Sequence, residues 1–352
     1  MVGVAGFEPT TLCPPDKCAT RLRYTPTGRG VTEPRPERQE AFLGRAGGIG
    51  DPSRLPLYAD AKLRLDAAMN IPAFYINIDA RIDRREAMER QLAQLELKVE
   101  RLSASTPGDV SAEQLERHSS AYSVPFIGPS HMGCWHSHIR AMRAIVESGA
   151  EWGLVLEDDV ILSRRLGEVV AAFLASDEAR SLDLVQLETT ARRTRVLPPV
   201  ARLTTGHQLV PYRSTLYGAA GYLISRRGAM HLLSHPRLIH RQNDVTVFTP
   251  FMGPAAALRS VLVEPAVVIQ LNKIEATTLS EGNIAAPKRP PAANASVVWR
   301  RRWLLWVEQA INMWDHLLHI PKGITSRVIP FDTQDQVYVG AKGLPQGATV
   351  LD

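Results

Sequence analysis

At 352 residues, 45% apolar and 22% charged, the chain has the composition of an ordinary globular protein, with room for one large domain or two smaller ones. Collagen-like, coiled-coil and wholly disordered architectures are excluded. The formal charge of +5 admits an anionic partner, and Cys13, Cys18 and Cys134 are too few for a disulfide framework, which fits a reducing compartment.

Residues 1–66 hold eight of the 25 prolines and eight of the 24 glycines and show no sustained apolar period, so 1–68 reads as a disordered extension with Met69 as a candidate start. Glu8, Pro9, Pro14, Pro15 and Asp16 deny the N-terminus the apolar core of a signal peptide. No apolar run reaches the roughly 18 residues of a membrane span. A cytoplasmic location is expected.

From residue 71 the texture changes. Ile71 to Ile78 reads as a buried strand, and a helix follows, with Asp83 as N-cap, Glu86 completing a capping box, and Ala87, Met88, Leu92, Leu95 and Val99 as its apolar stripe. A second helix is expected over Ser130–Ser148, ended by Gly149. Gly153-Leu154-Val155-Leu156 is a short apolar strand running into Glu157-Asp158-Asp159. A helix from Arg165 to Leu174 and a strand from Leu182 to Leu187 follow. Gly221-Tyr222-Leu223-Ile224 leads into a helix capped by Ser225, and 261–263 and 267–269 are strand-like. Strands buried on both faces and alternating with helices predict an α/β domain over 69–286 with a mainly parallel sheet.

Residues 287–352 form a basic, Trp-rich tail. Trp299, Trp303, Trp306, Ala310, Met313 and Leu317 share one face of an amphipathic helix, beside Arg300, Arg301 and Arg302. Residues 288–327 carry seven Lys/Arg against Glu308 and Asp315, which is the whole surplus of five. Such a helix suits either an anionic membrane surface through 299–318, on the inner face of the cytoplasmic membrane, or packing onto the domain. No recognisable module supports nucleic-acid binding.

Ligands of open α/β sheets bind at the carboxyl ends of the strands, where Glu157, Asp158 and Asp159 stand. Three adjacent carboxylates suit Mn²⁺ or Mg²⁺, which prefer hard oxygen ligands; a solvated acidic turn is the alternative. His131, Cys134 and His138, at i, i+3 and i+7, would share a helix face and could mimic a zinc site.

The ordered set Tyr75-Ile76-Asn77-Ile78-Asp79, Asp83-Arg84-Arg85, Gly133-Cys134 with Ser137-His138, Leu154 to Val160 and Gly221 to Ser225 resembles glycosyltransferase family 25, which includes lipopolysaccharide and lipooligosaccharide glycosyltransferases. The resemblance covers roughly residues 71–272 and departs from the family pattern at Trp135 and Met142. It implies a GT-A-like fold that binds a nucleotide diphosphate sugar, with Glu157, Asp158 and Asp159 holding Mn²⁺ (or Mg²⁺) against the diphosphate. It also implies UDP-galactose as donor, a lipid-linked saccharide as acceptor, and inversion at the sugar. In that setting Arg81, Arg84 and Arg85 are candidate phosphate contacts, Asn77 and Asp79 ribose or base contacts, and His138 a contact in the cleft. Asp244 and Glu188 are the candidates for the base that deprotonates the acceptor. The rival readings are a metal-dependent phosphoryl-transfer enzyme, for which no lysine and Ser/Thr set is found, and a non-catalytic carbohydrate- or lipid-binding module.

Overall fold

A computed structural model describes residues 71–111, 113, 129–235, 238, 241–273 and 295–332. The extension over 1–68 with Cys13 and Cys18, and the Pro-rich stretch from Pro287 to Pro291, lie outside the described residues. The apolar run after Ile71 becomes β1 (Ala73–Asn77), buried along its whole length. Its side chains alternate between two cores, Phe74 and Ile76 facing one and Ala73 and Tyr75 the other, because successive residues of a strand point to opposite faces. The same two-sided burial shapes β3 (Trp152–Glu157), β5 (Leu184–Gln186) and β10 (Gly221–Ser225).

Helices cover both faces. On one, α1 (Ile82–Gln94) contributes Met88 and Leu92, and α3 (Leu166–Leu174) contributes Val169, Val170 and Phe173. On the other, α2 (Pro129–Glu147) contributes Trp135, Ile139, Met142 and Ile145, and α4 (Arg226–Ser234) contributes Ala229 and Leu232. Gly149 ends the α2 region at φ +76°, a left-handed conformation that glycine adopts without strain. Ser225 caps α4 by accepting the Gly228 N–H at 2.9 Å.

Two expectations are corrected. The N-cap of α1 is Arg81, not Asp83, and no side-chain capping bond forms there. Asp83 instead receives two hydrogen bonds from the Arg81 guanidinium, at 2.9 and 2.8 Å, while Asn77 Nδ2 donates to the Arg81 carbonyl at 3.0 Å and fixes where the helix starts. The central sheet is mixed rather than mainly parallel. Its eight strands run in the order β2-β1-β3-β10-β5-β11-β9-β8, with β2 (Glu100–Ser103), β8 (Ala201–Arg202), β9 (Gln208–Pro211) and β11 (Ser260–Glu264) completing it. Pairings β1/β2, β1/β3 and β5/β11 are parallel; β3/β10, β10/β5, β11/β9 and β9/β8 are antiparallel. A strand buried on both faces reads as a continuous apolar run whichever way it points, so composition left the direction of β10 open.

Antiparallel β10 begins beside the end of β3, with Gly221 opposite Leu156. The ends of β1 and β3 and the start of β10 therefore meet along one edge. A second sheet, ordered β4-β12-β6, lies there: β4 (Val160–Leu162), β12 (Val268–Gln270) and β6 (Glu188–Thr189).

The fold does not stop at 286. Helix α5 (Asn243–Val247) lies beside the site, and α6 (Ala295–His319) leads to β13 (Thr325–Val328), which pairs with β7 (Arg193–Val196). Thr189 Oγ1 donates to the Ile329 carbonyl, and Phe331 bridges to Ala266. The described residues fall within one compact unit, 51–352. On α6, Glu308 receives a hydrogen bond from Arg241 at 2.6 Å, Asp315 pairs with Arg213 and Asn312 pairs with Arg195. Trp299, Trp303, Trp306, Met313, Trp314 and Leu317 stay exposed, so the aromatic face does not pack onto the domain. No helix among the described residues is long and apolar enough to cross a membrane.

Candidate active site

Strand β3 delivers the acidic triplet to the edge where β1 and β10 meet, and the three carboxylates then diverge. Asp158 turns inward and is buried, accepting Asn77 Nδ2 at 2.6 Å and Arg84 at 3.0 Å. Glu157 is half-buried; its Oε1 lies 3.2 Å from His138 Nε2, and its Oε2 accepts Gln270 Nε2 at 3.2 Å. Asp159 has one oxygen 3.3 Å from Arg84 and the other, Oδ1, buried with no hydrogen-bond partner. Burial raises both aspartates above the ordinary carboxylate range. Asp159 is pushed up to about 7, by desolvation first and then by Glu157 and Asp158, with Arg84 opposing.

A buried carboxylate oxygen without a donor is unusual in a folded protein. Hard oxygen donors with one orphan among them fit Mn²⁺ or Mg²⁺; Asp159 carries the orphan and Glu157 stands half-buried beside it. Asp158 is committed to Asn77 and Arg84.

Helix α2 supports this edge. A Cβ on Gly133 would sit 2.5 Å from the Ser105 carbonyl, so only glycine lets α2 come this close. Ser137 Oγ accepts the Ser105 N–H at 2.8 Å and donates to the Gly133 carbonyl at 2.8 Å. Next to it, buried His138 stands between Tyr222, whose hydroxyl is 3.0 Å from Nδ1, and Glu157. Cys134, His138 and Glu157 bring their ligand atoms within 4.8 Å of one another, but His131 turns away to Gln242, 3.1 Å distant. The zinc set that the helical spacing of His131, Cys134 and His138 could mimic is therefore not assembled. Burial, reinforced by the carboxylates of Glu157, Asp244 and Asp159, keeps the Cys134 thiol protonated.

The two base candidates differ in kind. Glu188 is buried; Oε2 accepts the Ala220 N–H at 2.8 Å, Oε1 has no partner, and burial raises its pKa well above the ordinary value. A Cβ on Gly218 would lie 2.5 Å from its carboxylate, so Glu188 packs directly against that backbone. Asp244 lies in the first turn of α5 and accepts the Val245 N–H at 2.8 Å. Its pKa is pushed up to about 6, mainly by burial, with Glu157 adding to the shift and Lys273 opposing it. A carboxylate near 6 is poised to accept a proton around neutral pH. Trp135 fixes this segment by donating its indole N–H to the Arg241 carbonyl at 2.7 Å.

The candidate donor contacts are dispersed. Asn77 is fully engaged inside the protein: Nδ2 donates to Arg81 O and Asp158, and Oδ1 accepts Arg101 Nε at 3.0 Å. Arg84 is buried against Asp158 and Asp159. Arg81 holds Asp83, Arg85 lies 3.9 Å from Glu89, and exposed Asp79 pairs with Arg101 and accepts the Ser103 hydroxyl at 2.9 Å.

Among known families, one described as glycosyltransferase family 25 (LPS biosynthesis protein) matches residues 70–247. The chain belongs to glycosyltransferase family 25. Among its relatives, procollagen galactosyltransferase 1 of Danio rerio is 31% identical over 191 residues, 51% of this chain and 31% of that protein. Lipooligosaccharide biosynthesis protein lic2B of Haemophilus influenzae is 23% identical over 169 residues, 46% of this chain and 62% of that protein. The chain thus spans about a third of the first and under two thirds of the second. A solved glycosyltransferase involved in the glycosylation of the major capsid of PBCV-1 covers 57% of this chain and 92% of its own at 9% identity and TM-score 0.31, too loose a likeness to define the fold.

Within this family 25 member, sequence reading missed three groups. Lys273 adds the positive charge felt by Glu188 and Asp244, Gln270 reaches Glu157, and Tyr222 positions His138. Tyr222 was legible as part of a strand. Gln270 and Lys273, at the end of β12 and just beyond it, carry no motif and are found only through the β4/β12 pairing.

Proposed function

We propose that the protein is a metal-dependent inverting glycosyltransferase with a GT-A-like fold, moving galactose from UDP-galactose to a saccharide of lipopolysaccharide or lipooligosaccharide. The observation that carries this reading is the orphaned Asp159 Oδ1, buried at the end of β3 beside Glu157. Asp159 and Glu157 would hold Mn²⁺ (or Mg²⁺), which when bound neutralises charge on the departing diphosphate. The protein residues do the rest. Arg84 and Asn77 lock Asp158 and set the turn that aims Asp159. His138, braced by Tyr222, orients Glu157. Arg81, Arg85 and Asp79 lie at the turn after β1, where the nucleotide would rest. Asp244 accepts the proton of the acceptor hydroxyl as the new C1–O bond forms and the C1–O bond to UDP breaks. Glu188, whose burial raises its pKa, supports the Gly218–Ala220 backbone behind the sugar.

The relatives favour galactose, through procollagen galactosyltransferase 1, and a lipooligosaccharide acceptor, through lic2B. The exposed tryptophans of α6 favour an acceptor presented at an anionic membrane, with the protein peripheral on the inner face of the cytoplasmic membrane, because indole rings settle at headgroup level and Arg302 lies beside them. Hydrolysis and transfer of UDP-galactose with Mn²⁺ in the wild type and in Asp159→Ala test the reading. Loss of both in the variant is expected; equal rates in the two proteins overturn it.

A further inference from the structure

Tyr217 has no part in the proposed chemistry, yet it adjoins Gly218, which packs against the candidate base Glu188. It is 47% exposed, and the Arg192 guanidinium lies over its ring, 5.3 Å from the centroid. Its neighbour Gly218 presses against Glu188 and accepts the Gln186 side-chain N–H at 2.9 Å, so the backbone carrying the ring is fixed from behind. On the open side, Arg241, three residues before Asp244, bonds Glu308 of α6. The pKa of the Tyr217 hydroxyl is raised by burial first and then by the Glu308 and Asp244 carboxylates, so both carboxylates are near enough to act on it.

An exposed aromatic ring stiffened by a cation on one face costs little entropy to use and offers a flat apolar surface. The apolar C–H face of a pyranose suits such a surface. The guanidinium above it suits a phosphate or carboxylate. We propose that Tyr217 and Arg192 form the acceptor subsite, taking an anionic saccharide whose sugar ring stacks on Tyr217 and whose phosphate or carboxylate pairs with Arg192. This rests on the transferase reading above and adds the acceptor's side of the site: the Asp244 and Glu308 carboxylates act on Tyr217, whereas the carboxylates proposed for the metal stand at the end of β3.

The test is steady-state transfer from UDP-galactose, with deacylated lipooligosaccharide core as the acceptor probe. Tyr217→Ala raises the acceptor KM about tenfold with donor KM within twofold of wild type, and Tyr217→Phe restores the acceptor KM. Arg192→Gln raises the KM for the phosphorylated core but not for the dephosphorylated core. Tyr217→Leu, which keeps the apolar bulk but not the flat ring, gives the same result as alanine should the latter fail to fold. An unchanged acceptor KM in Tyr217→Ala, an equal rise in donor KM, a Tyr217→Phe as poor as alanine, or no saturable use of the core by the wild type each overturn the subsite. Absence of any thermal stabilisation of the wild type by UDP-galactose with Mn²⁺ sinks the transferase reading itself. Donor binding with an unchanged acceptor KM in Tyr217→Ala sinks the subsite alone.

Discussion

Arg84→Met removes a cation placed against two carboxylates, Asp158 and Asp159. The guanidinium lies 3.0 Å from Asp158 and 3.3 Å from Asp159, and Arg84 and Asp158 are each less than a tenth exposed. At an effective dielectric of about 20, each contact is worth about 5 kcal/mol of Coulomb attraction. Most of that is offset by the cost of holding three charges out of water, and breaking such a pair from one side costs about 3–5 kcal/mol. A domain of this size loses about 2–4 °C of Tm per kcal/mol, so a loss of roughly 10 °C is expected. The loss depends on pH, and its sign follows from the aspartates. Their folded pKa values already lie above the unfolded ones, Asp159 at about 7. The stability this protonation confers is present below the unfolded value and is lost as pH rises through the folded one. At pH 5 the variant keeps Asp159 neutral and misses its cation little; at pH 8 two uncompensated charges remain. Thermal unfolding followed by circular dichroism with EDTA, at both pH values, is the assay. A deficit under about 2 °C, or one equal at pH 5 and pH 8, refutes the account.

Asp244→Asn is expected to lower transfer about 10²–10⁴-fold and to abolish the acid limb of the rate profile. In the wild type kcat/KM should rise through about pH 6 as Asp244 loses its proton; a variant that keeps a tenth of the rate with the same limb removes Asp244 from the role of base. Replacing Trp303 and Trp306 together with serine should weaken sedimentation with anionic phospholipid vesicles at least about tenfold, since both rings are largely exposed, 66% and 73%. Unchanged partitioning, or equal binding to neutral vesicles, dismisses the membrane contact.

The local features of this fold were legible because they depend on neighbours in the chain. Strand β1 and the stripe Ala87, Met88 and Leu92 follow from periodicity, and Gly149 follows from helix termination. What sequence could not supply was set by long-range pairing. Arg84 looked like a free phosphate contact beside Arg85, and only the parallel register of β1 with β3, which seats Ile76 opposite Glu157, shows that it faces Asp158. The cap of α1 failed for a related reason: Asn77, itself held by Asp158 and Arg101, takes the Arg81 carbonyl and decides the first turn. In the basic helix α6, Glu308 and Asp315 entered the sequence reading only as charges subtracted from a sum. Both point at arginines of the domain, so the apolar face is left outward by the helix's own anchoring.

The closing strand has a consequence for the order in which the molecule is made. Thr189 waits 140 residues for its partner at Ile329, and His207 waits 125 for Asp332, 3.1 Å away once paired. Chains emerge N-terminus first, and contacts of such separation are slow to form. The edge of β7 therefore leaves the ribosome without β13 beside it, and it stays so until nearly every described residue has been synthesised. The two-stranded sheet of β7 and β13 can be completed only after α6 has already emerged.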